Sequence, residues 1–385
     1  MLKSISIKNY KTFIGETYID FAATNYKFLE DENVGAGRVL KGALFVGENA
    51  SGKTNILHAI TLLLQICFRN ESIDYAAIVS FYGKYDQCNI KYNFYHNGND
   101  IDYLLTISRQ GIEQEQLIRN GETLLSRNSR SGNINMGGHD TVVDELPKNL
   151  ALLRRTYFDT HFYDDKILSS WFEYLRQSVY VNCNTHSIIS FTNDTQELNA
   201  YVYLEKNGVK SINDFLKKIN YRQSISYDTE THNKRGNFNS GSSKKFISFA
   251  KEGTGLEIPD TYESTGNITL VSLLPAFIHA IKNDCMLIVD EFSSGFHNEL
   301  EECLVKYFYH YSNNSQLFLV THSTNILNNS IVRPDQVYSV RFDGKNGSVI
   351  KRFSDEMPRE AQNIEKMYLN GVFDGKPYYN KIFKD

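Results

Sequence analysis

The stretch Leu40-Lys41-Gly42-Ala43-Leu44-Phe45-Val46-Gly47-Glu48-Asn49-Ala50-Ser51-Gly52-Lys53-Thr54 is a mostly apolar run of buried-strand length, then a glycine-bounded turn, then the start of a helix. Its last eight residues match G-x-x-x-x-G-K-[ST] between a predicted strand and a predicted helix, the context that motif requires. Glycines let backbone N–H groups close on phosphate oxygens, and a helix N-terminus adds partial positive charge. The lysine reaches the outer phosphates and the threonine hydroxyl ligates magnesium. Gly47, Asn49, Ala50, Ser51, Gly52, Lys53 and Thr54 are therefore expected to hold nucleotide phosphates, with Thr54 on Mg2+. From Ser51 to Phe68 apolar residues occupy nearly every side, which predicts a helix packed in the core.

Outward from this motif, composition sets bounds. The 385 residues allow one large domain or two modest ones, and a net charge of −4 argues against a whole-surface nucleic-acid binder. With 49 Phe and Tyr residues and only 6 Pro, the chain reads as folded. The apolar run around Leu62 to Leu64 falls far short of the ~18 residues of a membrane span, and the first residues lack a secretory pattern, so a cytoplasmic location is expected. The five cysteines are odd in number and never spaced C-x-x-C, which predicts reduced core thiols.

Cys285-Met286-Leu287-Ile288-Val289-Asp290-Glu291 is a buried strand ending in two acids. Asp290 is expected on magnesium and Glu291 as the general base for an attacking water. Leu317-Phe318-Leu319-Val320-Thr321-His322 ends a second apolar strand at a spacing that fits a neighbour, which puts His322 at the γ-phosphate. Lys53 and Asp290 are 237 positions apart, so a large segment must be inserted between them.

The N-terminal residues read as strands over Ser4–Tyr10, Glu16–Phe21 and Leu40–Val46, and residues 87–125 as an antiparallel sheet with turns at Asn97-Gly98, Gln110-Gly111 and Asn120-Gly121. Arg127–Asp140 and Thr229–Ser243 read as polar loops, and helical periodicity runs from Leu150 to about Leu216. The organisation predicted is an α/β head in two parts, 1–145 with an antiparallel β subdomain and 256–385, interrupted by a mainly helical lobe, 146–255. Within it, residues 206–251 hold ten basic against three acidic residues, either a solvated face or a surface for nucleic acid or an acidic partner. The group Asp159, His161, Asp164 and Asp165 reads as a solvated face rather than metal ligands, although His161 and Asp165 would share a helix face.

The order of motifs resembles an ABC-type ATPase, in which a Ser-x-Gly signature precedes the acidic strand; here Glu263-Ser264-Thr265-Gly266 opens a predicted helix. Asn9-Tyr10-Lys11-Thr12-Phe13 resembles the N-terminal strand motif of RecF and SMC-like heads. Phe296-His297-Asn298-Glu299-Leu300, Arg333-Pro334-Asp335-Gln336 and Tyr368-Leu369-Asn370-Gly371-Val372-Phe373 resemble bacterial AAA-family ATPases of the RloA/AbiL type, relatives of the PARIS and Septu ATPase components. The resemblance covers roughly residues 1–125 and 255–380. It implies a P-loop ABC-type head that binds ATP and Mg2+, with Lys11 near the nucleotide and Ser264 and Gly266 on the nucleotide of a second copy. It also implies hydrolysis through Glu291 and His322 and control of a separate effector, a nuclease or toxin of phage defence. A RecF/SMC-like repair ATPase and a slowly hydrolysing scaffold are the alternatives. The magnesium glutamine of ABC heads has only Gln87 as a candidate.

Overall fold

The computed structural model describes residues 1–192, 194, 196–229, 245–293 and 297–376. Period-two alternation and glycine-containing turns give the first half its strands: β1 (Leu2–Lys8), β2 (Thr17–Asp20), then the short α1 (Glu30–Asn33), β3 (Gly42–Gly47) and α2 (Lys53–Phe68). Next come β4 (Gln87–His96), β5 (Asn99–Ser108), β6 (Gly111–Arg119), β7 (Glu122–Asn128), β8 (Ser131–Met136) and β9 (His139–Val143). The middle holds α3 (Leu152–Thr160), α4 (Lys166–Arg176), β10 (Val179–Asn182), β11 (Ser187–Ser190), α5 (Ala200–Asn207), α6 (Lys210–Lys218), β12 (Gln223–Thr229), β13 (Lys245–Lys251) and β14 (Glu257–Pro259). The chain continues with α7 (Thr265–Asn283), β15 (Met286–Asp290), α8 (Asn298–Tyr311), β16 (Gln316–Val320), β17 (Val337–Phe342), β18 (Ser348–Arg352) and α9 (Ile364–Leu369).

These strands form an antiparallel sheet ordered β2-β1-β4-β5-β6-β7-β8-β9, a seven-stranded sheet ordered β11-β10-β15-β16-β3-β17-β18, and a small sheet β12-β13-β14. In the second, β10, β15, β16, β3 and β17 run parallel, with β11 and β18 antiparallel at the edges. Its middle strands are buried throughout because both faces are covered. Phe45, Ile288 and Phe318 face a core shared with α2 and the antiparallel sheet. Their neighbours Leu44, Val289 and Leu319 face a core shared with α7 and α8.

Two expectations need correction. Arg127–Asp140 is not a loop: β8 and β9 pair across it, with Gly132, Ile134 and Met136 turned inward and Gly137 and Gly138 at positive φ in the turn. A glycine holds one of its three inward positions, which breaks the apolar alternation. Residues 146–255 are not mainly helical: beside α3–α6 they hold strands β10–β13, and β10 and β11 belong to the seven-stranded sheet, so the middle of the chain helps build the head. Much of the polar run Thr229–Ser243, with Lys234 and Arg235, and Lys244 after it, lies outside the described residues.

Arg333-Pro334-Asp335-Gln336 is a buried polar knot. Asp335 accepts from Arg333 Nη2 (2.8 Å) and from the backbone N–H and hydroxyl of Thr24 (both 2.7 Å), while Gln336 Oε1 accepts from Asn33 (2.7 Å). Arg333 and Asp335 have no exposed surface. Burial pushes the Asp335 carboxyl up, but the Arg333 hydrogen bond and charge and the Thr24 donors outweigh it and hold the carboxyl below its ordinary value. A depressed folded value stabilises above the unfolded pKa and is lost as pH falls through the folded one. Asp335→Ala should lower stability by about 3–5 kcal/mol because the guanidinium stays buried without its counter-charge. Urea titrations should also show wild type losing more stability than the variant below about pH 4. A loss under about 1 kcal/mol at neutral pH would contradict this account.

Candidate nucleotide site

The parallel register decides what meets what. Val289 pairs with Leu319, Val320 with Phe45, and Gly47 with Val340, so the C-terminal ends of β15, β16 and β3 share one edge of the sheet. That edge is where ligands bind in open α/β sheets. A cleft of about 1080 Å3 opens there, lined by Gly47 through Asn55 and by Glu291, Thr321 and His322.

Ala50 and Gly52 take positive φ (60° and 106°), which turns the loop back over the start of α2. A Cβ on Gly52 would fall 2.4 Å from Ser348 Oγ, so only glycine fits. The ammonium of Lys53 donates to Gly47 O (3.1 Å) and Glu48 O (2.7 Å). Burial lowers its pKa, against the raising charges of Glu291 and Asp290. The Ser51 hydroxyl is buried without a hydrogen-bond partner. Thr54 Oγ1 donates to Asp290 Oδ1 at 3.1 Å, and Tyr180 Oη, from β10, to Asp290 Oδ2 at 3.4 Å. Burial raises the Asp290 pKa, and the nearby Glu291 charge adds to that. Glu291, in the left-handed region (φ 56°), places Oε2 3.4 Å from His322 Nε2 at the cleft mouth. The donor set fits Mg2+: a hydroxyl beside a carboxylate that burial makes costly to ionise without a cation. The unpartnered Ser51 hydroxyl and the cradle at Gly52 fit phosphate oxygens.

Gly47, Asn49, Ala50, Ser51, Gly52, Lys53, Thr54, Glu291 and His322 thus line one cleft, and Asp290 touches it through Thr54. Lys11 does not. Tyr10 and Phe13 exchange backbone hydrogen bonds across a tight turn with Lys11 at φ 46°, so the ammonium meets His58 Nδ1 (2.8 Å) in a different cavity while Thr12 lines the cleft. Ser264 caps α7, accepting from Asn267 N (3.4 Å); Ser264 and Gly266 lie outside this chain's own cleft, with Ser264 exposed. Gln87 begins β4 outside the cleft, and Asn184, on the β10–β11 turn, lines it instead. The apolar run Val179-Tyr180-Val181 before Asn184 was the available signal.

Tyr82 and Tyr368 also line the cleft. Tyr368 belongs to the Tyr368–Phe373 motif, whose Phe373 stacks on Phe353 with ring centroids 3.8 Å apart. His161 and Asp165 share no helix face: the chain turns through left-handed φ from His161 to Asp164, and Asp165 caps α4 and pairs with Arg119 (2.6 Å). Of the basic segment, Lys206 pairs with Asp194, while Lys210, Lys217, Arg222 and Lys251 meet no carboxylate within 4 Å among the described residues.

A family model described as "AAA domain, putative AbiEii toxin, Type IV TA system" matches residues 43–328. Among solved structures, the SMC head domain from Thermotoga maritima is 16% identical, with a TM-score of 0.51 over 91% of this chain and 98% of that one. An SMC head bound to the C-winged helix domain of ScpA is 14% identical, with a TM-score of 0.54 over 92% and 99%. These likenesses show the fold, that of an SMC head domain. No curated protein matches.

Gly47 has φ 147°, and a Cβ there would lie 2.1 Å from Val340 O, a backbone atom of the neighbouring strand. Gly121, also at positive φ, has open space around it. Gly121→Ala should cost about 1–2 kcal/mol, the left-handed penalty alone. Gly47→Ala should cost at least about 2 kcal/mol more, because β3 and β17 must part, and equal losses by urea unfolding would overturn the close-approach argument.

Proposed function

The chain belongs to the AbiEii-type AAA-domain family, and on that premise we propose that it binds ATP with Mg2+ and hydrolyses it at a site shared by two copies, to control a separate effector. One observation carries this reading. The P-loop threonine meets the carboxylate of Asp290 at 3.1 Å, and the adjacent Glu291 pairs with His322 at the mouth of the same cleft.

Thr54 and Asp290 would hold Mg2+, which offsets the negative charge of the phosphate oxygens. Lys53 exchanges its two carbonyl partners for phosphate oxygens, a stronger charge-assisted pairing. Glu291 accepts the proton of the attacking water, and His322, whose Nε2 lies 3.4 Å from that carboxylate, stands beside the terminal phosphate. Asn184, from the turn that follows β10, stands at the same edge and orients that water. The exposed capping serine of α7, outside its own cleft, supports a site completed by a second copy, where Ser264 and Gly266 meet the partner's bound nucleotide. The motifs that resemble those of defence ATPases support a nuclease or toxin as the effector, and the family description, which places the domain in a toxin–antitoxin system, supports a role in phage defence.

Glu291→Gln should retain ATP and accumulate the two-copy state while phosphate release slows by ~10²–10⁴, the scale of a lost general base. Lys53→Ala should instead weaken ATP binding itself. Wild-type turnover in Glu291→Gln would remove Glu291 from the role, and stable assembly with negligible phosphate release by wild type would replace hydrolysis with a scaffold.

Sharing of the site is tested by mixing. Lys53→Ala and Ser264→Arg chains, each inactive alone, should regain roughly a quarter to a half of wild-type activity together, because one of the two sites in a mixed dimer is intact. Proven mixed dimers without recovered activity would count against the shared site.

A further inference from the structure

We propose that the cavity beside Lys11 is a second binding site, which takes a small organic phosphate with an apolar body. This cavity and the nucleotide cleft are different spaces with walls from the same elements: Thr12 and the first turn of α2 line the cleft, while Lys11 and the later α2 residues His58 and Leu62 line the cavity. Its volume of about 330 Å3 lies in the range of small-ligand pockets. Tyr10, Leu62 and Ile78, all buried, supply apolar walls, and Lys11, His58 and Arg69 supply nitrogen donors.

Lys11 lacks, among the described residues, the carboxylate partner that a half-buried cation ordinarily has, and Arg69 meets one only in the exposed Glu71. Among the described residues Lys11 meets no carboxylate within 4 Å; its ammonium lies 2.8 Å from His58 Nδ1. An ammonium can only donate, so the imidazole accepts at Nδ1 and carries its own proton at Nε2. Burial with the Lys11 charge beside it pushes the His58 pKa down to about 4, and burial alone lowers that of Lys11. Arg69 is held by Ser190 O (3.1 Å) and by the face of Phe191, with its centre 5.5 Å from the ring centroid, which leaves most of its five N–H donors free for a ligand. Two acids stand nearby and neither neutralises the pair. Glu71 is 83% exposed and 3.8 Å from Arg69, and Asp74 accepts from the Ala77 N–H at 3.2 Å. Two positive charges over an apolar floor match a dianionic head on an apolar body better than a free inorganic ion or a neutral ring.

The test uses the full chain carrying Lys53→Ala, so that the P-loop cleft is disabled and the result is independent of the ATPase reading. Calorimetric titration with phenyl phosphate should show binding at least tenfold tighter than with phenol or with inorganic phosphate. Adding Lys11→Met or Arg69→Met, which keep the side-chain stem, should each weaken phenyl phosphate by about tenfold or more, the scale of one lost charged hydrogen bond. Ile189→Trp, which fills the cavity from its β11 wall without touching a charge, should abolish binding; it decides the matter should a methionine variant melt early. The proposal is overturned if the parent does not bind phenyl phosphate, if phenol binds as well, or if the variants bind as the parent does.

Discussion

The hydrogen bond from Thr54 to Asp290 joins residues 236 apart in sequence, and the rest of the cleft depends on what makes it possible. It requires β3 and β15 to flank β16 in one parallel register, so that α2 starts where β15 ends. It also requires Gly47, since any side chain would push β17 away from β3. Given those two conditions, Glu291 follows one residue, and His322 two, beyond neighbouring strand ends. The carboxylate of Asp290 is buried as a result of the same packing, which is why a divalent cation suits it.

A second buried polar group holds the two large sheets together. Gln316, the first residue of β16, accepts from Tyr174 Oη (2.7 Å) on α4 and donates to Leu2 O (2.9 Å) on β1 and Leu40 O (3.0 Å) ahead of β3. It has no exposed surface, so each lost partner would leave an unpaired group in the core. The antiparallel sheet is therefore tied by specific hydrogen bonds, as well as by apolar burial, to the strand that presents His322. The knot at Arg333 and Asp335 does the same for the segment that leads into β3.

What could be read in the sequence was what short-range pattern encodes. The P-loop, the acidic strand and the His322 strand each combine an apolar run with a chemically distinctive end, and α2, α7 and α8 carry their periodicity within their own lengths. Lys11 was misplaced because its backbone position is near the cleft while the Tyr10–Phe13 turn sends neighbouring side chains to opposite sides. β8 is short and half polar, and the four residues of β10 give little alternation to detect. Asn184 owes its place to the pairing of β10 with β15, more than 100 residues away, which no local window contains. The position of Ser264 is legible as a helix cap.

The return of the chain into the seven-stranded sheet at β10 bears on how this protein can be cut and rebuilt. In a head whose middle segment were a true cassette, the segment could be excised or exchanged between relatives with a short linker in its place. Here excision of 146–255 would strip β15 of its outer neighbour, remove the Tyr180 hydroxyl from Asp290, and leave the backbone groups of the acidic strand exposed along a new edge. A chimera that respects the fold would have its joints after β11 and before α7, and would carry residues 179–190 with the host.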